Sequence, residues 1–259
     1  MDAIGIADDA LIDPSFSLPA YLDILAELRA AGYRAAGFTS GPPVGRQVLL
    51  RHDVDVSLEH ARALGQAERD AGWRSTYYVL LTSDLYNVHS ASSRSLLRSI
   101  LDAGHEIGLH FDATVYAVAD EANFAVLEEA ARRECAVLGD IIGTPIESIS
   151  FHRPVQFLQG LERTFASLPH AYQSHFFQDV DYCSDSDGAW NHGHPLDRQS
   201  IKTGQPMQLL THPVWWIAEH GVSAPDKVDA FLDQRTSWLR SELARNIKSY
   251  AAHLKTPGQ

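Results

Sequence analysis

The chain has 259 residues, 45% of them hydrophobic, with 33 Asp and Glu against 21 Lys and Arg and a formal net charge of -12. That length and apolar content suffice for one buried core without disulfide staples, and the acidic balance excludes a surface built for nucleic acid or an anionic membrane. Cys135 and Cys183 fit no metal or redox spacing, so free thiols in a reducing compartment are expected. No apolar run approaches the roughly 20 residues of a membrane span and the first residues lack a basic region, which predicts a cytoplasmic protein with no stable membrane insertion.

A polar lead-in over residues 1–16 precedes a single domain over 17–255. Ser17-Leu18-Pro19 reads as a helix start, with Tyr21, Leu22, Leu25 and Leu28 as an apolar stripe running to Gly32. Val48-Leu49-Leu50 reads as a strand, and Ser57 opens a helix carrying Leu58, Ala61, Leu64 and Ala67 as far as Gly72. The same unit recurs: a strand over 76–81, a helix around Leu96, Leu97 and Ile100, and a strand over 106–110. A helix from 120 to about 142 and a strand over 148–151 follow. Residues 169–204 are rich in His, Asp and aromatics with weak periodicity and predict an excursion over the active face. A last strand over 207–210 precedes a helix from about 226 to 254 with Val228, Leu232, Leu239, Leu243, Ile247 and Tyr250 on one face. Strands alternating with helices imply an α/β fold with a parallel sheet, open or closed.

Four segments carry the chemistry, each at the end of a strand-like run: Arg51-His52-Asp53-Val54-Asp55, Gly104 to His110, Phe151-His152-Arg153-Pro154 and Leu210-Thr211-His212-Pro213. Strand periodicity puts Arg51, Asp53 and Asp55 on one side, where two converging carboxylates favour a divalent cation on one and a proton acceptor in the other. Glu106, Gly108 and His110 share a side, which makes His110 a ligand candidate and Glu106 a partner candidate for Arg51 or Arg153. Gly108 leaves room for a close approach. The Arg153 fork either orients a carboxylate such as Asp53 or makes a structural ion pair. His212, beside Trp215 and Trp216, suits a general acid, and the Trp pair is either a core lid or a sugar-stacking wall. The absence of a G-x-S-x-G elbow, a Walker-type loop and H-E-x-x-H spacing removes support from serine-hydrolase, nucleotide-triphosphatase and zincin readings.

In order, these segments resemble the polysaccharide deacetylases of the NodB-homology type, carbohydrate esterase family 4, across roughly residues 46–216. The resemblance implies a distorted (β/α)7-type, TIM-like barrel and metal-dependent removal of an N-acetyl or other small N-acyl group from an amino sugar. Asp53 matches the family's base and Asp55 its metal ligand, an order that the intervening Val54 leaves open to reversal. His110 matches the first metal-binding His, Arg153 the arginine that orients the base, and His212 the acid. Asp185 to Trp190 resembles the family's Asp/Trp motif. Thr114 stands where the family has a second His, and His152 is the expected substitute, with Asp112 and His105 behind it. The cofactor implied is a divalent metal ion, zinc. The Arg-His-Asp-Val-Asp and Gly-His-Glu-Ile-Gly-Leu-His forms resemble a subgroup associated with lipopolysaccharide, O-antigen and surface-polysaccharide biosynthesis, where the substrate is a nucleotide-linked or lipid-linked N-acylated sugar or a glycan. The alternative is a catalytically impaired pseudoenzyme that binds a glycan or partner through the same cleft.

Overall fold

The computed structural model describes residues 16–116, 123–153, 156–159, 161–217 and 222–255. All but Phe16 of the lead-in, residues 117–122 before the fourth helix, and Pro154 of the third motif lie outside this set.

After helix α1 (Leu18–Ala30), the chain alternates between strands β1 (Arg34–Ala36), β2 (Gln47–Val54), β3 (Thr76–Val79), β4 (Glu106–Phe111) and β5 (Ile149–Phe151) and helices α2 (Leu58–Asp70), α3 (Ala91–Asp102) and α4 (Phe124–Ile142). Short α5 (Ser174–Phe177) and α6 (Gln199–Thr203) flank β6 (Asp181–Ser184), and β7 (Met207–Thr211) leads into α7 (Pro213–Ile217), α8 (Ala224–Asn246) and α9 (Lys248–Lys255). The seven strands form one curled parallel sheet, six of them in the order β5-β4-β3-β2-β7-β6 with β1 added beside β2, a half-barrel consistent with the distorted barrel expected. β1 pairs with the first half of the same β2 edge whose second half pairs with β3. The segment Pro169–Ala171 docks on β5 through hydrogen bonds to Ile149.

Local chemistry explains the element starts. Ser17 and Ser57 cap α1 and α2 by accepting from the amides of Ala20 and His60, and Ser90 caps α3 by accepting from Ser93; each such cap contributes about 1 kcal/mol. β2 is the central strand, buried on both faces beyond Gln47. One apolar cluster fills the space around β3, β4, β5 and helices α2 to α4, and a second joins α1, β2 and β7 around Tyr21, Leu25, Leu50, Met207 and Trp216. Gly108 is required by packing. A Cβ there would sit 2.4 Å from the Tyr78 ring, so the room left at this position is filled by an aromatic side chain of the neighbouring strand.

Three expectations need correction. The stretch over 169–204 contains the edge strand β6, which pairs with β7 over Asp181 to Ser184. The C-terminal helix breaks at Ile247, where the backbone is extended (φ -125, ψ 101). Its proposed apolar face does not close the core: Val228, Leu232, Leu239, Leu243 and Ile247 are exposed, and only Lys227 and Phe231 of α8 are buried.

Candidate active site

Because all strands are parallel, their C-terminal ends open onto one face, and the motif residues gather there. Asp53 and Asp55 come from the end of β2, His110 from β4, His152 from just beyond β5, Asp185 from just beyond β6 and His212 from just beyond β7. They line or adjoin a cleft of about 430 Å³ whose walls include Tyr172, Phe177, Tyr182 and Trp215. A hollow at the opposite end, around Arg29, Trp73 and Arg74, belongs to the helix C-termini: Arg29 donates to the Gly72 carbonyl, as expected of a cation beside exposed helix-end carbonyls.

Three ligand atoms converge in the cleft. His110 Nε2 lies 3.1 Å from Asp55 Oδ1 and 3.2 Å from His152 Nδ1, and His152 Nδ1 lies 3.4 Å from Asp55 Oδ1. The Asp55 oxygen is buried yet makes no hydrogen bond. Bonds of about 2.1 Å to a tetrahedral cation imply ligand–ligand edges of about 3.4 Å, so the spacing fits a divalent metal. Asp55, His110 and His152 are the group of His, Cys, Asp and Glu among the described residues arranged to hold such an ion. His152 reaches the site because β5 ends at Phe151: Ser150 and His152 share the interior side, whereas Phe151 packs among the aromatic rings of the core. The reserve candidates lie elsewhere. His105 donates through Nε2–H to the Gly65 carbonyl and accepts at Nδ1 from the Ser75 amide, and Asp112 binds Thr114 and Arg153.

Asp53 is held by an arginine, but not by Arg153. The fully buried Arg51 donates Nε–H to Asp53 Oδ1 at 2.9 Å and Nη2–H to Oδ2 at 2.8 Å. Its remaining donors reach Gln208, Ser150 and Tyr172. Burial works to raise the Asp53 pKa, but the Arg51 charge, with His110 and His212, holds it below the usual carboxylate range. Arg153 instead donates to Asp112 Oδ2 at 2.6 Å with its side chain 66% exposed. It lies past the end of β5 with φ at 47°, which turns the side chain to the cleft mouth. Glu106 is no partner for either arginine. It sits at the opposite end of β4, exposed, and accepts from Thr76 Oγ1.

The acid candidate is tied to Asp185. His212 Nδ1 lies 2.6 Å from Asp185 Oδ1, the backbone amide of His212 donates to the same carboxylate, and Trp216 Nε1–H donates to its other oxygen at 2.7 Å. Burial lowers the imidazole pKa, but Asp185, followed by Asp55 and Asp53, raises it to about 9. Nε2 is left pointing toward Asp55, 3.8 Å away. Asp185, which the sequence marks only weakly, thus joins the site, and its aromatic partner is Trp216. Trp190 packs against Phe16 and Trp216 instead. The two adjacent tryptophans divide their roles: Trp216 is fully buried and Trp215 lines the cleft.

No family model and no curated protein matches the chain. Among solved structures it is similar to the chitin deacetylase from the fungal pathogen Colletotrichum lindemuthianum, at 15% identity over 75% of this chain and 84% of that one, with a TM-score of 0.46. It is also similar to the peptidoglycan deacetylase PdaC from Bacillus subtilis, at 12% identity over 83% and 98%, TM-score 0.44. A third likeness is to a family 4 carbohydrate esterase from Streptomyces lividans, solved with acetate, at 16% identity over 75% and 90%, TM-score 0.42. At this degree of likeness the comparisons decide nothing about chemistry, which the side chains carry. Among the described residues no helix is long and apolar enough to cross a membrane.

Proposed function

We propose that this chain is a metal-dependent N-deacetylase, removing an acetyl or other small acyl group from an amino sugar during bacterial O-antigen or surface-polysaccharide assembly. The sugar is carried on a nucleotide, a lipid or a growing glycan. The observation that supports this most is the meeting in one cleft of a carboxylate kept ionised, a cation-binding trio and an imidazole kept protonated.

Each group matches a need of amide hydrolysis. Asp53, held deprotonated by Arg51, accepts a proton from the attacking water as base. A divalent cation such as zinc held by Asp55, His110 and His152 would supply carbonyl polarisation and acidify water. Amide cleavage expels an amine, a poor leaving group unless protonated. His212 Nε2 faces the cleft and gives that proton, while Asp185 fixes the Nδ1–H tautomer and the ring orientation. The aromatic walls at Phe177, Tyr182 and Trp215 suit a sugar ring.

The test is acetate release from a panel of N-acetylated sugars by zinc-loaded protein, with metal content measured by mass spectrometry. The intact protein should hold one metal per chain and release acetate, and Asp53→Asn should keep the metal and lose turnover. Failure of the metal-loaded protein to release acyl groups from any panel member rejects the hydrolase reading in favour of a binding module.

A further inference from the structure

The cleft contains a guanidinium that the hydrolytic machinery leaves unused. Base orientation, the role expected of Arg153, belongs to Arg51. Arg153 nevertheless lines the cleft, one residue from the cation-binding His152.

Its surroundings hold it by one edge. Asp112 is 1% exposed and is fixed by its own loop, with Oδ1 accepting from the Thr114 amide at 2.9 Å and from Thr114 Oγ1 at 2.6 Å. The other oxygen takes Arg153 Nη2–H. Among the described residues the Nε–H and Nη1–H donors of Arg153 have no partner, and the side chain stays mostly exposed at the mouth. The backbone at Arg153 is left-handed, a conformation that side chains with a Cβ avoid and that persists where its surroundings aim a functional group. Around it Phe177, Tyr182 and Trp215 line the same cleft. With one Nη2–H on Asp112, the second Nη2–H and the unpartnered N–H beside it remain as one parallel fork for an incoming oxyanion, and phosphate is the oxyanion for which that fork is best matched.

We infer that Arg153 is a specificity-determining residue that binds a phosphate group carried by the substrate, so that the preferred substrate is a phosphate-linked N-acyl sugar. This rests on the deacetylase reading and narrows it. Arg153, His152 and His110 line one cleft, so a phosphate on Arg153 and an acyl group at His152 and His110 can belong to one bound sugar.

Isothermal titration calorimetry of zinc-loaded protein with N-acetylglucosamine and with N-acetylglucosamine 1-phosphate tests this without turnover. The phosphorylated sugar should bind about tenfold more tightly, equivalent to about 1.4 kcal/mol. Arg153→Gln should bring the ratio to about one, and Arg153→Lys, which keeps the charge but not the fork, should leave an intermediate ratio. Equal affinities in the unsubstituted protein, a preference that survives in R153Q, or no measurable binding of the phosphorylated sugar overturns the inference. Acetate release judges the underlying reading separately. Release without phosphate preference rejects only the role of Arg153; an Arg153-dependent preference without release rejects the deacetylase reading and leaves phosphate recognition standing.

Discussion

Arg51 and Asp53 meet through two hydrogen bonds of 2.9 and 2.8 Å although only two positions separate them on β2. Alternation puts both inside the curled sheet; Nη1–H donates to Gln208, and Ser150 and Tyr172 accept from Nη2 beside the carboxylate. The carboxylate keeps its charge in the interior because a complete fork accompanies it.

Arg51→Lys should therefore lower kcat about a hundredfold, since a point charge cannot fix both carboxylate oxygens. Arg51→Met leaves the buried Asp53 charge unpaired and should cost about 3–5 kcal/mol. Steady-state kinetics on the first variant and urea unfolding on the second measure the two effects.

Removal of His110 or His152 deletes one corner of the ligand trio. Either alanine variant should hold zinc at least roughly a hundredfold more weakly in a chelator competition. His105→Ala should retain zinc, because its ring faces Gly65 and Ser75 rather than the cleft. Loss of metal in H105A with retention in H152A would reverse the assignment.

The pH profile follows from two groups. Asp53 must be ionised and His212 protonated, so activity should hold through neutral pH and fall as pH rises through about 9. Asp185 raises the His212 pKa more than any other charge does. Asp185→Asn should move the alkaline limb down toward the ordinary imidazole value of about 6.5. A limb that stays near its original position in D185N removes His212 as the acid.

Behind β2 lies a second charged network with no access to the cleft. Glu68 is fully buried and accepts from Tyr21, Ser75 and Tyr77, with His52 Nε2 at 2.9 Å and His52 Nδ1 in turn 2.7 Å from Thr211 Oγ1. Burial raises its pKa, but His52 and His105 together with the hydrogen bonds hold it at about 2. A depressed carboxylate contributes stability that is fully present above its unfolded value, near 4.5, and is lost as pH falls toward about 2. The gap corresponds to on the order of 3 kcal/mol. Denaturation of the intact protein and Glu68→Gln across this range should show their stability difference shrinking with falling pH. A constant difference would show that Glu68 is not ionised at the outset.

The sequence by itself determined the βα alternation, the strand ends carrying the chemistry and the shared side of Arg51, Asp53 and Asp55. These depend on periods of two and 3.6 residues and on local caps such as Ser17 and Ser57, all readable over a few positions. Only the tertiary structure decided which arginine serves Asp53. Arg51 and Arg153 carry the same fork, and the choice depends on where β5 ends and how the sheet curls. It also decided that Asp185, 27 positions before His212, becomes its partner, because β6 and β7 lie side by side. Edge strand β6 is silent in the sequence because its four residues beside a loop leave little periodicity, and pairing with β7 rather than local pattern makes it a strand. Apolar spacing on α8 was visible in the chain, but whether that face meets a core depends on what the fold places opposite it; the first turns meet α7, Phe16 and His60 of α2, while Leu232, Leu239 and Leu243 stay exposed.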